Sequence, residues 1–229
     1  DDNSRGLDNL HTSPGLAANA GVALGSATVS PINIANGYAT VAADGVRSDV
    51  FVIDKVVDRT GKVRYTHRVG NKRALDEDVN ADVSYALQQV VRAGSGQREA
   101  SQLGRPAGGK TGTATNAKDQ VSSSWFVGYT PQLSTAVMMV RGTGNESLEE
   151  VLPTDYYGGT YPARMWTRVM SKALEGEPVE PLPDAAWTDG EAPSEGHEPP
   201  PPPPDPKPTR TKDPKETKEP TPSEEPSEE

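Results

Sequence analysis

The sequence contains no cysteine, and its only three histidines, His11, His67 and His197, lie far apart along the chain. The lack of cysteine excludes disulfide bonds, cysteine-ligated zinc, iron–sulfur clusters and thiol catalysis. With so few histidines, a histidine-built metal site and a Ser-His-Asp triad are both disfavoured. We therefore expect a protein that uses no metal and no other cofactor.

Long apolar runs are also lacking, because none reaches the 18 residues that indicate a membrane span. A membrane contact would therefore have to come from a segment upstream of this chain. The formal charge of −10 is concentrated at one end: residues 181–229 contain 13 acidic and 5 basic side chains, whereas residues 1–180 carry only −2. A nearly neutral body without a basic stripe argues against nucleic acid as the main partner.

Residues 181–229 have the composition of a low-complexity tail. They hold 15 of the 22 prolines, including six in a row at positions 199–204. Proline favours the extended polyproline II conformation, and such a segment has little apolar surface to bury. We predict a folded body over residues 1–180 and a disordered tail over residues 181–229. The tail is either an inert extension or a ligand for a proline-binding domain or the cell wall.

Apolar residues at helical spacing predict three helices in the body. Residues 30–31, Ser-Pro, suit the N-cap and first turn of the first helix. Asp78 or Asn80 would cap the second helix, and Thr160 would open the third. The stripes expected to pack in the core are Ile34, Tyr38, Val41 and Ala42, then Val83, Leu87, Val90 and Val91, and finally Trp166, Val169, Met170, Ala173 and Leu174.

Extended segments lie between these helices. Residues 50–57 and 62–67 flank an Asp-Arg-Thr-Gly turn and predict a hairpin. Short joints between the next three strands imply antiparallel neighbours, and their ranges are 110–115, 124–129 and 133–141. The last of these strands is almost entirely apolar in its middle, which predicts that both of its faces are covered. The fold class is therefore α/β (α+β), with a mainly antiparallel sheet.

The sharpest chemical signal is Lys110-Thr111-Gly112-Thr113. On a strand, Lys110 and Gly112 share one face, and the two threonines share the other. The glycine lets a substrate approach the backbone, the hydroxyls can bind a carboxylate, and the lysine adds a fixed positive charge. A backbone N–H at a strand edge could also stabilise an oxyanion. The segment therefore predicts a substrate-binding strand for an anionic peptide end.

A phosphate loop is a competing interpretation, because Gly104 stands five residues before the Gly109-Lys110-Thr111 sequence. A phosphate loop follows a buried strand and opens a helix. Residues 101–103 make a poor buried strand, and residues 112–116 make a poor helix start. The nucleotide interpretation is therefore the weaker one.

The lysine motif together with the segment 124–131, Ser-Trp-Phe-Val-Gly-Tyr-Thr-Pro, resembles the class A penicillin-binding proteins. These are bifunctional peptidoglycan synthases with a serine transpeptidase domain. Segments 24–39 and 158–166 extend the resemblance over residues 7–178, and the tail suggests the actinobacterial type. The resemblance implies part of a penicillin-binding/β-lactamase-like transpeptidase fold, working on the extracytoplasmic, wall-facing side of the bacterial membrane.

The resemblance also shows what is missing. The family uses Ser-x-x-Lys, Ser-x-Asn and Lys-Thr-Gly motifs, and only the third occurs here. Ser95 comes nearest to the first motif, but Arg98 replaces its lysine. Since the chain begins at Asp1 without an initiator Met, we expect the C-terminal piece of a longer protein, with the nucleophile and a possible glycosyltransferase domain upstream.

Four residues receive roles from the resemblance. Lys110 would set a positive potential and help proton transfer at the missing serine. Thr111 and Thr113 would bind the carboxylate of a D-Ala-D-Ala stem peptide or a β-lactam, the Thr113 N–H would form half of an oxyanion hole, and Gly112 would keep the edge open. Trp125 is expected to pack. The parent would be a D,D-transpeptidase; a D,D-carboxypeptidase, a β-lactamase and a non-catalytic cell-wall-binding module remain alternatives.

Overall fold

The computed structural model describes residues 20–25, 27–152 and 154–188. The helices are α1 (Pro31–Ala42), α2 (Glu77–Arg92), α3 (Gln97–Ala100) and α4 (Tyr161–Ala173), and 3-10 turns cover Ala20–Leu24 and Ser101–Leu103. The strands are β1 (Val46–Ser48), β2 (Lys55–Val57), β3 (Val63–Thr66), β4 (Asn71–Arg73), β5 (Gly108–Thr115), β6 (Val121–Thr130) and β7 (Leu133–Val140). No helix in these described ranges has the length and hydropathy of a membrane span.

Strands β5, β6 and β7 form an antiparallel sheet in chain order. The two-residue joint between β6 and β7 contains Pro131, which suits a tight turn. The predicted strands and their antiparallel pairing are therefore confirmed. Strand β6 lies in the centre of this sheet, and almost all of its residues are buried.

The core lies on the face of the sheet that carries Phe126 and Gly128. Trp166 of α4 is fully buried there, packs edge-on against Phe126 and donates from Nε1 to the Gly128 carbonyl at 3.1 Å. Glycine is required at 128 because a Cβ atom would lie 2.8 Å from the indole ring. The remaining members of this buried cluster are Val91, Ala100, Ala107, Ala163, Met170 and Leu174. The third stripe is therefore correct in part, since Val169 is about half exposed and Ala173 is also exposed.

Helices α1 and α2 cover the opposite face of the sheet, around Tyr129. Tyr129 packs near Tyr38 of α1 and shares a 2.8 Å hydrogen bond with Ser84 of α2. Burial raises the pKa of the Tyr129 hydroxyl to about 12. This neutral, buried phenol needs a polar partner, which explains why α2 turns Ser84 inward.

The predicted stripe of α2 is correct in part, since Val91 is buried and Leu87 and Val90 are half-buried. Its buried positions are Asn80, Ser84, Gln88 and Val91, whereas Val83 is exposed. The Asn80 side-chain N–H donates to the carbonyl of Val41 at 3.1 Å. Neither Asp78 nor Asn80 caps the helix, because the N-cap position is Asp76. In contrast, the predicted cap of α1 is confirmed, since the Ser30 hydroxyl accepts from the Asn33 N–H.

Strand β7 is less covered than its sequence predicts. Met138 and Val140 are 38% and 40% exposed, although α1 and α4 both contact the strand. Among the described strands β7 pairs only with β6, so it stands at an edge of the sheet. The expectation that both faces are fully covered was therefore wrong at its C-terminal end.

Two small antiparallel pairs lie between α1 and α2. The predicted hairpin is confirmed as β2 and β3, although it is shorter than expected because residues 50–54 form no strand. The other pair, β1 and β4, closes around this hairpin and was not predicted. The Asp58 carboxylate accepts from the backbone N–H groups of Thr60 and Lys62, which fixes the hairpin turn.

The segment after α4 continues along α2. The Asp82 carboxylate accepts from the backbone N–H groups of Trp187 and Thr188 at 2.8 and 3.0 Å, and Gln88 donates to the carbonyl of Pro183. Residues 181–188 therefore lie against the folded body, beyond the predicted boundary at residue 180. Most of the predicted tail, residues 189–229, lies outside the described residues.

Candidate functional site

Strand β5 carries the four candidate residues along one edge of the sheet. Among the described strands β5 pairs only with β6, so its other edge has no strand partner. The register sets Gly112 opposite Trp125 and Thr113 opposite Ser124. Lys110 and Gly112 therefore share the face of Trp125, which is half-buried, while Thr111 and Thr113 share the other face.

Lys110 is exposed at the start of this motif. Its ammonium group donates to the backbone carbonyl of Thr111 at 3.0 Å. Over the ranges that the structure describes, Lys110 forms no ion pair. Its positive charge is therefore not neutralised by these residues and can act on an anionic group at the edge of β5.

The two threonine hydroxyls are both in contact with neighbouring loops. Thr111 Oγ1 lies 2.7 Å from Ser95 Oγ, in the short connection between α2 and α3. Thr113 Oγ1 accepts from the Gly158 N–H at 3.3 Å. Since each hydroxyl oxygen can take part in more than one hydrogen bond, these contacts orient the threonines and leave room for a ligand.

The loop of residues 155–160, which we call the site loop, lies directly on β5. A Cβ atom at Gly158 would lie 2.6 Å from the Gly112 carbonyl oxygen and 2.9 Å from the Gly112 nitrogen, and would overlap the carbonyl oxygen of Trp125. A Cβ atom at Gly159 would overlap the carbonyl oxygen of Ser95. Only glycine permits this approach of the two backbones, so the site loop and β5 form one packed unit.

A buried ion pair holds the elements behind the site. Glu99 of α3 is 5% exposed and binds Arg164 of α4 through two hydrogen bonds, of 2.7 and 3.1 Å. The hydrogen bond from Arg164, together with the charges of Arg164, Arg98 and Arg168, holds the pKa of Glu99 below its usual value. The Thr167 hydroxyl donates to the Glu99 backbone carbonyl, which adds a third link between these helices.

The geometry decides against the nucleotide interpretation. Thr111 lies in the middle of β5, and no helix follows it before β6 begins. A phosphate loop needs a helix N-terminus at that position. In the described residues no group of three or more His, Asp or Glu side chains could hold a metal, and no serine hydroxyl is hydrogen-bonded to a lysine or histidine.

Comparison with known proteins identifies the family. The model of the penicillin-binding protein transpeptidase domain matches residues 2–171. The chain belongs to the penicillin-binding protein transpeptidase family. It is 34% identical over 168 residues to penicillin-binding protein 1A of Mycolicibacterium smegmatis, which covers 72% of this chain but only 21% of that protein. The chain therefore spans about a fifth of the length of this relative.

Solved structures of penicillin-binding transpeptidases agree with the fold. The penicillin-binding protein PonA1 from Mycobacterium tuberculosis superposes with a TM-score of 0.66 at 29% identity, over 79% of this chain and 48% of that chain. The same protein in complex with penicillin V gives a TM-score of 0.65 at 29% identity, over 82% of this chain and 49% of that chain. The expected family and the expected partial, mixed fold are confirmed.

Sequence reasoning missed two parts of this candidate site. The sequence around Ser95 indicates only an incomplete nucleophile motif, and the contact of Ser95 with Thr111 depends on a turn between two helices that no local pattern specifies. The Gly158 N–H was missed as well, although the adjacent Gly158-Gly159 pair is a signal for close backbone approach. The roles of Lys110, Thr111, Gly112 and Thr113 remain predictions.

We expect Glu99→Ala to destabilise the chain by about 1.5 kcal/mol, because two hydrogen bonds between charged groups are lost, although the Arg164 side chain, which is 34% exposed, can be rehydrated. Urea unfolding of the 229-residue chain at pH 7 measures this loss. Glu175→Ala is the matched control, since Glu175 pairs with Lys172 on the exposed surface and its loss should cost less than about 0.5 kcal/mol. Equal effects of the two substitutions would contradict the role of the buried pair.

The same pair predicts a pH dependence. The pKa of Glu99 is lower in the folded than in the unfolded chain, whose usual value is 4.5. Its stabilisation is therefore complete above pH 4.5 and is lost as the pH falls through the folded pKa. The stability difference between the wild type and Glu99→Gln should shrink between pH 7 and pH 3. A difference that stayed constant would show that Glu99 does not titrate differently in the two states.

Proposed function

We propose that this chain is the substrate-binding part of a serine D,D-transpeptidase that cross-links peptidoglycan stem peptides. The observation that carries the proposal is β5, which presents an exposed lysine and two oriented hydroxyls in a chain of this family; within the described residues the lysine has no ion pair and the outer edge of the strand has no strand partner. These groups suit a ligand with a terminal carboxylate, such as a D-Ala-D-Ala end. The complete protein would work on the outer, wall-facing side of the bacterial membrane.

The reaction would be acyl transfer through a serine ester. A serine outside this chain would attack the carbonyl carbon between the two D-Ala residues. The C–N bond breaks, and the leaving D-Ala amine takes up a proton. An amino group of a second stem peptide then attacks the ester, which restores the serine and forms the cross-link. This sequence of steps needs neither a redox change nor a metal.

The residues of β5 would act on the charges of this reaction. The hydroxyls of Thr111 and Thr113 would bind the substrate carboxylate, and Lys110 would stabilise that anion and assist proton transfer at the serine. The Thr113 N–H would donate to the oxyanion of the tetrahedral intermediate. Gly112, which carries no side chain, leaves the strand edge accessible. We propose that β-lactams bind in the same way, as mimics of the D-Ala-D-Ala end.

The test is intact-mass analysis after incubation with a fluorescent penicillin. Three samples are compared: this chain alone, a second polypeptide that supplies the upstream half of the domain, and the two combined. We expect no adduct on this chain in any sample, and an adduct on a serine of the upstream half in the combined sample. Lys110→Ala in this chain should strongly reduce that adduct, whereas the matched control Lys118→Ala, at an exposed lysine in the turn after β5, should leave the adduct yield unchanged.

The other outcomes separate the alternatives. A penicilloyl adduct on a serine of this chain would contradict the assignment of the nucleophile to the upstream half. An adduct that water removes within minutes, with no transfer to an added amine, would indicate a β-lactamase or a D,D-carboxypeptidase. No adduct in any sample, together with cell-wall binding that survives deletion of residues 181–229 and Lys110→Ala, would indicate a binding module.

A further inference from the structure

Ser95 lies beside β5, in the turn between α2 and α3. It is exposed, and its hydroxyl oxygen lies 2.7 Å from that of Thr111, on the threonine face of β5. Its backbone carbonyl packs against Gly159, where any Cβ atom would overlap it. Ser95 is therefore held between the candidate substrate-binding strand and the site loop.

The backbone around Ser95 is fixed from the other side as well. The Gly96 N–H donates to the carbonyl of Val90 at 3.0 Å, and a Cβ atom at Gly96 would lie 2.9 Å from the Phe126 ring. Three residues further along, Glu99 is tied to Arg164. The Ser95 hydroxyl thus lies on a well-packed turn. A side chain that orients another side chain must itself be held in place in this way.

Thr113 shows the arrangement that a carboxylate site requires. The Gly158 N–H can only donate, so the Thr113 oxygen accepts it with a lone pair. The hydrogen of the Thr113 hydroxyl is then free to donate to a ligand. Thr111 lies two residues earlier on the same face. Its hydroxyl hydrogen is free to donate to a ligand only if Ser95 is the donor in the hydrogen bond that the two residues share.

We propose that Ser95 is a positioning residue that donates to Thr111 and thereby directs the Thr111 hydrogen to the carboxylate of the ligand. This inference rests on the proposed function of β5. In a chain of hydroxyls that ends at an anion, every hydrogen points toward the anion, and each bond strengthens the next. A bound carboxylate therefore selects this direction, and without Ser95 the Thr111 hydroxyl rotates freely.

The test uses the complete domain and two forms of one penicillin, the free carboxylate and its methyl ester. Acylation kinetics give the binding constant and the acylation rate constant separately. We expect Ser95→Ala to weaken binding of the free acid about 5-fold, in the range of one hydrogen bond, with little change in the acylation rate constant. Binding of the ester should change less than 2-fold. Ser95→Thr, which keeps the hydroxyl, should restore binding of the acid.

Thr111→Val tests whether Ser95 affects ligand binding through Thr111. If Ser95 acts through Thr111, Ser95→Ala should cost nothing further in a Thr111→Val background. Equal losses for acid and ester would show a purely structural role and overturn the proposal, as would no loss for the acid. A wild-type domain that is not acylated by the free acid would overturn the proposed function itself, and this inference with it.

Discussion

Replacing Lys110 by alanine is expected to slow acylation of the complete domain by penicillin about 10²- to 10⁴-fold, the range for loss of a group that assists proton transfer. Lys110 is exposed, and its side chain donates a hydrogen bond to a carbonyl of its own strand. Its removal should therefore leave the fold intact, so that a lower acylation rate reflects a slower chemical step. Stopped-flow acylation with a fluorescent penicillin measures the rate.

Two further variants make this experiment decisive. Lys118→Ala removes an exposed lysine from the same hairpin and should change the rate less than 2-fold. Lys110→Arg keeps the charge but cannot lose a proton at neutral pH. If Lys110 acts through the electrostatic field of its charge, the Lys110→Arg variant retains much of the acylation rate. If Lys110 transfers a proton, Lys110→Arg is acylated as slowly as Lys110→Ala. A wild-type rate for Lys110→Ala would remove Lys110 from the mechanism.

Gly158→Ala is expected to destabilise the fold more than the addition of a methyl group at any other position in the described part of the chain. The new Cβ atom would overlap backbone atoms of Gly112 and Trp125, and backbone cannot swing aside as a side chain can. We expect a loss of about 3 kcal/mol, the upper range for overpacking, and a fall in the melting temperature of about 10 °C. Differential scanning fluorimetry of the 229-residue chain measures the shift.

Gly37→Ala is the matched control. Gly37 lies on the exposed side of α1, and a Cβ atom there meets nothing within 4 Å. Alanine should stabilise the helix by about 1 kcal/mol, because it costs less conformational entropy in a helix than glycine does. The two glycine substitutions should thus have opposite signs. A Gly158→Ala chain that melts within 2 °C of the wild type would mean that the site loop does not lie on β5.

Local patterns predicted the parts of the fold that local forces determine. The cap of α1 and the turn between β6 and β7 depend on Ser30, Pro31 and Pro131, whose effects act within a few residues. The predicted inward face of α2 was only partly correct, because Ser84 is buried as the hydrogen-bond partner of Tyr129, 45 residues away. A helical stripe rule ranks residues by hydrophobicity and cannot foresee a polar partner supplied by a distant strand.

The same distinction applies to the site. The strand alternation of the Lys-Thr-Gly-Thr segment is local, so the sharing of faces by Lys110 and Gly112 could be predicted. The contact of Ser95 with Thr111 and that of Gly158 with Thr113 join residues 16 and 45 positions apart. Such contacts follow from the packing of whole elements, and the sequence offered only a glycine pair as a sign of them.

The meander of β5, β6 and β7 has a consequence for how the chain folds. Each strand pairs with its neighbour in sequence, and the joints span only residues 116–120 and 131–132. Closing short loops costs little chain entropy, so such hairpins form rapidly, before contacts between distant segments. Contacts between distant segments, such as that of Ser134 with the carbonyl of Ala35, 99 residues away, are expected to form later. We therefore expect the strand that would receive the substrate to form early in folding, before the helices close over it.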